Sequence, residues 1–318
     1  MTVTTSGTGS ANEPRRHHYV PRCWLAGFTE TGEKDARLWV TDSSRGHQWP
    51  STPDGAGHIR DFYRLEDEHA SDPVMAENAL SRIETEVAPI LRAVNRERRQ
   101  PGVEELDAIL FFMAIQWSRV PAFRPFILGV LDKFSHEQIG KELESPESWR
   151  RALVKAGMDP EAPGADYEKM KKFHAEKAYT LSAPTDWYVL RAFESIEKML
   201  PGLKKRFWAT LISPSGSFIG SDNPVIIEGP KGVKQGFENA ELISYAVGRH
   251  VALWGTLRPI RRQLVSRKFV AKMNTLSMLS ADKQVFSHAP DFCWLDENQK
   301  VQTDWKLFSK ELILDGCP

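Results

Sequence analysis

The residues best suited to chemistry lie in four places along the chain. His17 and His18 stand side by side ahead of Tyr19-Val20-Pro21, and a neutral imidazole serves as metal ligand, general base or hydrogen-bonding strut. On an extended segment adjacent side chains point to opposite faces, so the two histidines share one site only if the backbone turns. The alternative is a histidine bonded to backbone and packed beside Tyr19 and Trp24. Further on comes Ser221-Asp222-Asn223-Pro224-Val225. A carboxylate and an amide at a strand end suit a metal or a polar substrate, while Asp-Asn-Pro is equally a turn signal whose side chains bond their own backbone.

Gln116 and Arg119 form the third place, one turn apart in a hydrophobic segment. A guanidinium emerging from such a helix needs an anionic partner: an internal carboxylate, Glu84 or Glu86, or a substrate anion. The fourth is electrostatic. The chain carries 42 Lys plus Arg against 42 Asp plus Glu, so no global field draws it to nucleic acid or to an anionic membrane. Yet no Asp or Glu occurs from Leu242 to Ala281, where Arg249, Arg258, Arg261, Arg262, Arg267, Lys268 and Lys272 all fall. These cations either face phosphates or pair with the acidic residues between Asp67 and Glu105. Walker, GxGxxG, GxSxG, HExxH and kinase signatures are all absent from the sequence.

The elements that must position these residues follow from periodicity. Leu80, Ile83, Val87, Ile90, Leu91 and Val94 fall at steps of three and four, predicting an amphipathic helix over 75–99. A second, more hydrophobic helix runs from Leu106 to Val120, stopped or kinked by Pro121. Residues 132–182 read as charged surface helices, and Trp187–Leu200 as a helix ended by Pro201 and Gly202. Strands are expected at 37–41, 61–65, 225–227, 250–257 and 262–266. A β-hairpin is expected where 207–212, a Ser-Pro-Ser-Gly turn and 217–221 succeed one another. A closing helix covers 269–280.

A helical block (about 73–202) precedes an antiparallel sheet (about 207–290), with a short N-terminal strand segment, so the fold class is α+β. The chain divides into a disordered polar leader, 1–16, and a single α+β domain, 17–318. At 41% hydrophobic residues it has ample material for a core. No stretch approaches the roughly 18 to 20 consecutive apolar residues of a membrane span, and none resembles a signal peptide. Three scattered cysteines without CxxC spacing suit a reducing cytoplasm.

Several of these residues together resemble a bacterial and fungal family known as domain of unknown function 4238. They are His17–Phe28, Asp61-Phe62-Tyr63, the helix pair bearing Gln116 and Arg119, and Phe218–Val225. Asn274 also stands where similar proteins carry an asparagine. In that family the later motif usually reads Thr-Ser-Asp-Asn-Pro, and Gly220 replaces the threonine here.

The resemblance implies a cytoplasmic protein, and an association of some relatives with bacterial defence against phage makes an antiviral effector the expected setting. It supplies no reaction. His17, His18, Glu84, Gln116, Arg119, Asp222 and Asn223, if brought to one pocket, would build a phosphodiesterase or nuclease centre. His17 or His18 would act as base. His18, Glu84 and Asp222 would hold or orient a divalent metal, Mg²⁺ or Mn²⁺, and Arg119 would neutralise phosphoryl oxygens. Gln116, Asn223, Arg258 and Arg262 would contact the substrate, a nucleic acid or a nucleotide. Two other readings stay open: a non-catalytic binding or sensor protein in which both motifs lock the fold, and a small-molecule tailoring enzyme.

Overall fold

The computed structural model describes residues 16–60, 62, 75–215, 217–230, 235–259 and 263–316. β1 (Arg16–His18) leads into a single turn, α1 (Arg22–Leu25), and a 3₁₀ turn over Ala26–Phe28. Three strands follow: β2 (Leu38–Asp42), β3 (His47–Ser51) and β4 (His58–Arg60). The helical block holds α2 (Met75–Glu97), α3 (Val103–Arg119), α4 (Phe123–Glu142), α5 (Pro146–Lys155), α6 (Tyr167–Ala175) and α7 (Thr185–Lys204). Next come β5 (Phe207–Ile212), β6 (Gly220–Ser221), β7 (Val225–Glu228), β8 (Leu242–Ala246), β9 (Val251–Thr256) and β10 (Gln263–Leu264). The described chain closes with α8 (Arg267–Ser280), β11 (Val285–Ser287), β12 (Trp294–Leu295), β13 (Val301–Gln302) and α9 (Lys310–Gly316).

The fold is α+β, and the chain forms two compact units, residues 1–120 with 185–318, and Pro121–Pro184. In the first, a five-stranded sheet of order β10-β5-β9-β8-β7 is antiparallel except where β10 runs parallel to β5. A four-stranded sheet of order β3-β2-β11-β6 joins early and late parts of the chain, and β1 pairs with β4, β12 with β13. The main core gathers Trp24, Phe28, Ile109, Phe112, Met113, Tyr245 and Leu253, each at most 1% exposed or fully buried. α3 packs on α7 and α2 and is buried on nearly every side, which explains why its apolar run lacks a clean polar face. The Trp24 indole donates to the Ala246 carbonyl at 2.8 Å, tying residues 222 positions apart.

The second unit has few buried side chains, among them Leu143, Leu153 and Ala165. Polar contacts supplement them: Ser145 and Asp166 cap α5 and α6, and the His136 and His174 rings stack at 3.9 Å. No single helix among the described residues is long and apolar enough to cross a membrane.

Four expectations change. The hairpin over 207–221 does not form, because β5 pairs with β9 and β10 whereas β6 joins β11 in the other sheet. The intervening backbone is satisfied elsewhere: Phe218 N–H donates to the Arg249 carbonyl (3.1 Å), and Ile219 N–H to Asn274 Oδ1 (3.1 Å). Strands β3 and β4 occupy a stretch where the sequence predicts no strand, because Pro50, Pro53, Gly55 and Gly57 signal a loop; Pro50 is accommodated in β3, which lies at the edge of its sheet. α7 continues through Pro201 to Lys204. Arg16 opens β1 and so does not belong to a leader. The strand expected at 61–65 falls largely outside the described residues, and so do Asp72 and Pro73, whose types favour a helix start.

Candidate functional site

The site begins with one face of α2. Ser81, Glu84, Thr85, Ala88, Leu91, Arg92, Asn95 and Arg96 recur at steps of three and four, so they form a single stripe along the helix. That stripe is one wall of a cleft of about 740 Å³. Cys23, Ala26 and Gly27 form the opposing side, and Val247, Arg249 and His250, from the turn between β8 and β9, close one end.

Asn95 holds the three segments together. Its Oδ1 accepts from the His250 backbone N–H (3.0 Å) and its Nδ2 donates to the Gly27 carbonyl (3.3 Å), while Arg249 N–H also donates to Gly27 (2.9 Å). The approach is so close that a Cβ on Gly248 would stand 2.5 Å from Asn95 Cγ. A Cβ on Gly27 would stand 3.0 Å from the Gly248 Cα.

The cleft is electropositive. Arg22, Lys34, Arg92, Arg96, Arg98 and Arg249 line it against two carboxylates, Glu33 and Glu84. Arg22 is engaged by Asp54 at 3.0 Å, and Glu84 by Arg119 at 2.7 Å. Among the described residues no carboxylate lies within ion-pair distance of Arg92, Arg96 or Arg249. Arg249 is half-buried, and burial followed by the neighbouring Arg98 pushes its guanidinium below the usual arginine range. Burial, then Arg249 and Arg98, pushes His250 down to about 4, and burial and Arg249 lower His288. Glu30, whose field opposes this at Arg249 and His288, is itself beside Arg37 at 3.7 Å.

Of the residues singled out in the sequence, Glu84 and, from the acid-free stretch, Arg249 line this cleft. Arg119 sits behind Glu84, 3% exposed, donating through Nη1 to Glu84 Oε1 and through Nη2 to the His18 carbonyl. Such a guanidinium is not open to a phosphate, so the expected phosphate role of Arg119 is replaced by an internal one. His17 is fully buried, and His18 Nε2–H donates to the Asp54 carbonyl (3.2 Å). Burial lowers the His18 pKa, and that bond opposes it. Gln116 is fully buried in α3, and its amide finds no hydrogen-bond partner among the described residues.

Asp222 lies apart from these. Its carboxylate accepts from the backbone N–H groups of Asp282 (2.8 Å), Lys283 (2.9 Å) and Gln284 (2.9 Å), fastening the turn between α8 and β11. Burial pushes its carboxyl up to about 6, against the pull of those bonds. Asn223 donates to the Ser280 carbonyl (3.2 Å), and Asn274 bonds the backbone of Ser217, Ile219 and Cys293. Gly220 has a packing reason: a Cβ there would stand 2.5 Å from Trp24 Cη2 and 3.0 Å from Phe28.

The single pocket of imidazole, guanidinium and carboxylate expected from the sequence is therefore not assembled. Among the described residues no three His, Cys, Asp or Glu side chains group as metal ligands. His18 and Asp222 do not fit a Mg²⁺ or Mn²⁺ site, since hard cations need several free oxygens and both Asp222 oxygens are committed to amides. Arg258 is exposed beyond β9, and Arg262 lies outside the described residues. The acid-free stretch is dispersed: Arg267, Lys268 and Lys272 are exposed on α8, and Arg249 reaches the cleft. The residues missed, Arg92, Asn95, Arg96, Arg98 and His250, left one trace, an Arg pair one turn apart beside the apolar stripe of α2.

The family described as "Protein of unknown function (DUF4238)" matches residues 16–291, a span that includes every residue lining the cleft. No curated protein and no solved structure matches the chain.

Proposed function

The chain belongs to the DUF4238 family, whose description assigns no activity, and from the chemistry of the cleft we propose that it binds a phosphate-bearing ligand, a nucleotide or a nucleic acid. The observation that carries this reading is Arg249, a half-buried guanidinium with no ion pair or side-chain hydrogen bond among the described residues, facing Arg98, His250 and His288. A desolvated cation beside a second guanidinium, Arg98, is costly, a cost that Glu30 offsets only in part, and a bound oxyanion offsets it through short charge-assisted bonds. The C-terminus of α2 favours cations in its last turn through the helix dipole. Arg92 and Arg249 lie outside that turn, so the dipole does not account for them.

The test is binding of labelled DNA, RNA and nucleotides followed by fluorescence anisotropy at several salt concentrations. Arg249→Gln should weaken binding about tenfold or more, as loss of a charge-assisted bond does. Lys268→Gln on the remote face of α8 should leave it unchanged. Equal behaviour of the two variants would remove the cleft from consideration.

A second reading, a phosphodiesterase or nuclease effector in antiviral defence, is favoured by His250. Its backbone carbonyl accepts from the Ser213 N–H (2.9 Å), its Nδ1 has no partner among the described residues, and a pKa near 4 keeps the imidazole neutral at pH 7. A neutral imidazole beside a phosphate suits proton abstraction. Cleavage of DNA or RNA with Mg²⁺ or Mn²⁺, lost in His250→Gln while binding persists, would support it. Binding without cleavage leaves the sensor reading. The cytoplasmic setting belongs to the same proposal and is supported by Cys23 and Cys293, both free thiols.

A further inference from the structure

Resting on the reading of the cleft as a phosphate site, we infer that its ligand is a small molecule with a phosphate group at one end and vicinal hydroxyls at the other, lying along α2 with the phosphate at Arg249 and the hydroxyls at Glu84. A nucleotide and a sugar phosphate share this chemistry.

Three features of the cleft argue for it. Charge along the α2 wall is graded: Arg92, Arg96 and, just past the helix, Arg98 stand at its C-terminal end, while Ser81, Glu84 and Thr85 stand at the other. At a rise of 1.5 Å per residue, Glu84 and Asn95 are about 16 Å apart along the helix, enough for one small molecule and no more. A nucleic-acid strand following the wall would bring a further phosphate against Glu84, where like charges repel. Between the ends the lining is small and uncharged, with Ala88, Leu91, Ala26 and Gly27. A volume of about 740 Å³ lies within the range of roughly 300–1,000 Å³ usual for small-molecule pockets.

The second feature is how Glu84 is held. Its Oε1 accepts from Arg119 at 2.7 Å and its side chain stays 20% exposed. Arg119 in turn donates to the His18 carbonyl, so the histidine-rich start of the chain steadies a carboxylate at the cleft. A fixed, partly exposed carboxylate accepts from two adjacent hydroxyls at once, as it does from a guanidinium fork. Arg119 is thus a positioning residue for Glu84.

The third feature is that the phosphate end is closed. Asn95 pins Gly27 and the 248–250 backbone against α2, so the cations meet a stop there. A terminal phosphate fits such an end.

The experiment is calorimetric titration of the whole protein with inorganic phosphate, ribose 5-phosphate, AMP, 2′,3′-dideoxy-AMP and a 12-nucleotide DNA. AMP or ribose 5-phosphate should bind at least about tenfold more tightly than inorganic phosphate, and dideoxy-AMP about tenfold more weakly than AMP, the loss of hydrogen bonds to a charged acceptor. AMP exceeding ribose 5-phosphate would identify a nucleotide, and equality a sugar phosphate. Glu84→Asp, which keeps the charge but withdraws it, should weaken AMP and leave inorganic phosphate unchanged. Since dideoxy-AMP probes the same contact on the native protein, a misfolded variant does not protect the inference. Equal binding of AMP and dideoxy-AMP would overturn it, as would DNA binding tighter than every small ligand, and in both cases the phosphate reading of the cleft survives. Failure of every ligand, inorganic phosphate and DNA included, would overturn that reading as well.

Discussion

Asp222 presents its two oxygens to three successive backbone amides, an acceptor geometry that no amide side chain reproduces. Asp222→Asn turns one oxygen into a donor facing donors, and it should cost about 2–4 kcal/mol in urea-induced unfolding. Gln116 is the converse case: its fully buried amide meets no partner among the described residues, which carries a penalty of about 1–3 kcal/mol. Gln116→Met, similar in length and without donors, should raise stability by about 1–2 kcal/mol. If it lowers stability instead, Gln116 has a polar role in the core that the contacts do not reveal. These two residues also show what single-residue reading achieves. That a guanidinium in a hydrophobic helix needs a carboxylate was legible from residue type, and Glu84 is that partner, whereas the Asp-Asn-Pro reading was not met: Asp222 and Asn223 bond backbone 57 to 62 positions away and not their own. That His18 contributes its carbonyl, and not its ring, to Arg119 was not legible, since it depends on contacts 101 positions apart.

At the scale of elements, the meeting of α2, the 3₁₀ turn at Gly27 and the turn between β8 and β9 decides whether the cleft exists. Gly248→Ala places a Cβ 2.5 Å from Asn95 Cγ, and the side chain that must move is the one binding both neighbours. The expected outcome is a loss of about 1–3 kcal/mol of stability together with loss of ligand binding. Gly129→Ala, with open space around its Cβ position in α4, should leave both intact or gain slightly in stability. Binding unchanged in Gly248→Ala would mean that the Asn95 junction does not shape the site. Helices α2, α3 and α8 were legible because three- and four-residue spacing is a local property. The two sheets were not, because strand pairing is set by partners far apart: β11 lies between β2 and β6, and β5 and β6, which sequence suggests as a hairpin, belong to different sheets. The cleft was hidden for the same reason, since its cations come from positions 22 and 34, from 92–98 and from 249, segments that only the tertiary fold brings together.

Over the whole molecule, acid should act through the basic end of the cleft. His18, His250 and His288 all have pKa values below their ordinary one in the folded chain. The unfolded chain therefore binds more protons than the folded one below about pH 6.5, and stability must fall as pH falls through that range, for His250 down to about 4. Asp222 works in the opposite direction. Its raised value, about 6, means that the folded chain binds the extra proton between there and the ordinary carboxylate range, which restores some stability in that window. His136 is lowered as well and Glu228 raised, and four histidines against two carboxylates leave a net loss on acidification, so the midpoint of unfolding in urea should drop between pH 7.5 and pH 5.5. His250→Gln should make that drop shallower. An anion seated against Arg98, Arg249 and His250 favours the protonated imidazole, so sulfate, which keeps its charge over this range, should stabilise the protein more at pH 5.5 than at pH 7.5. The measurement is a set of urea titrations at both pH values, with and without 20 mM sulfate, about that level being ample for a weak anion site. An equal sulfate effect at both, in wild type and His250→Gln alike, would show that the imidazole does not face the bound anion.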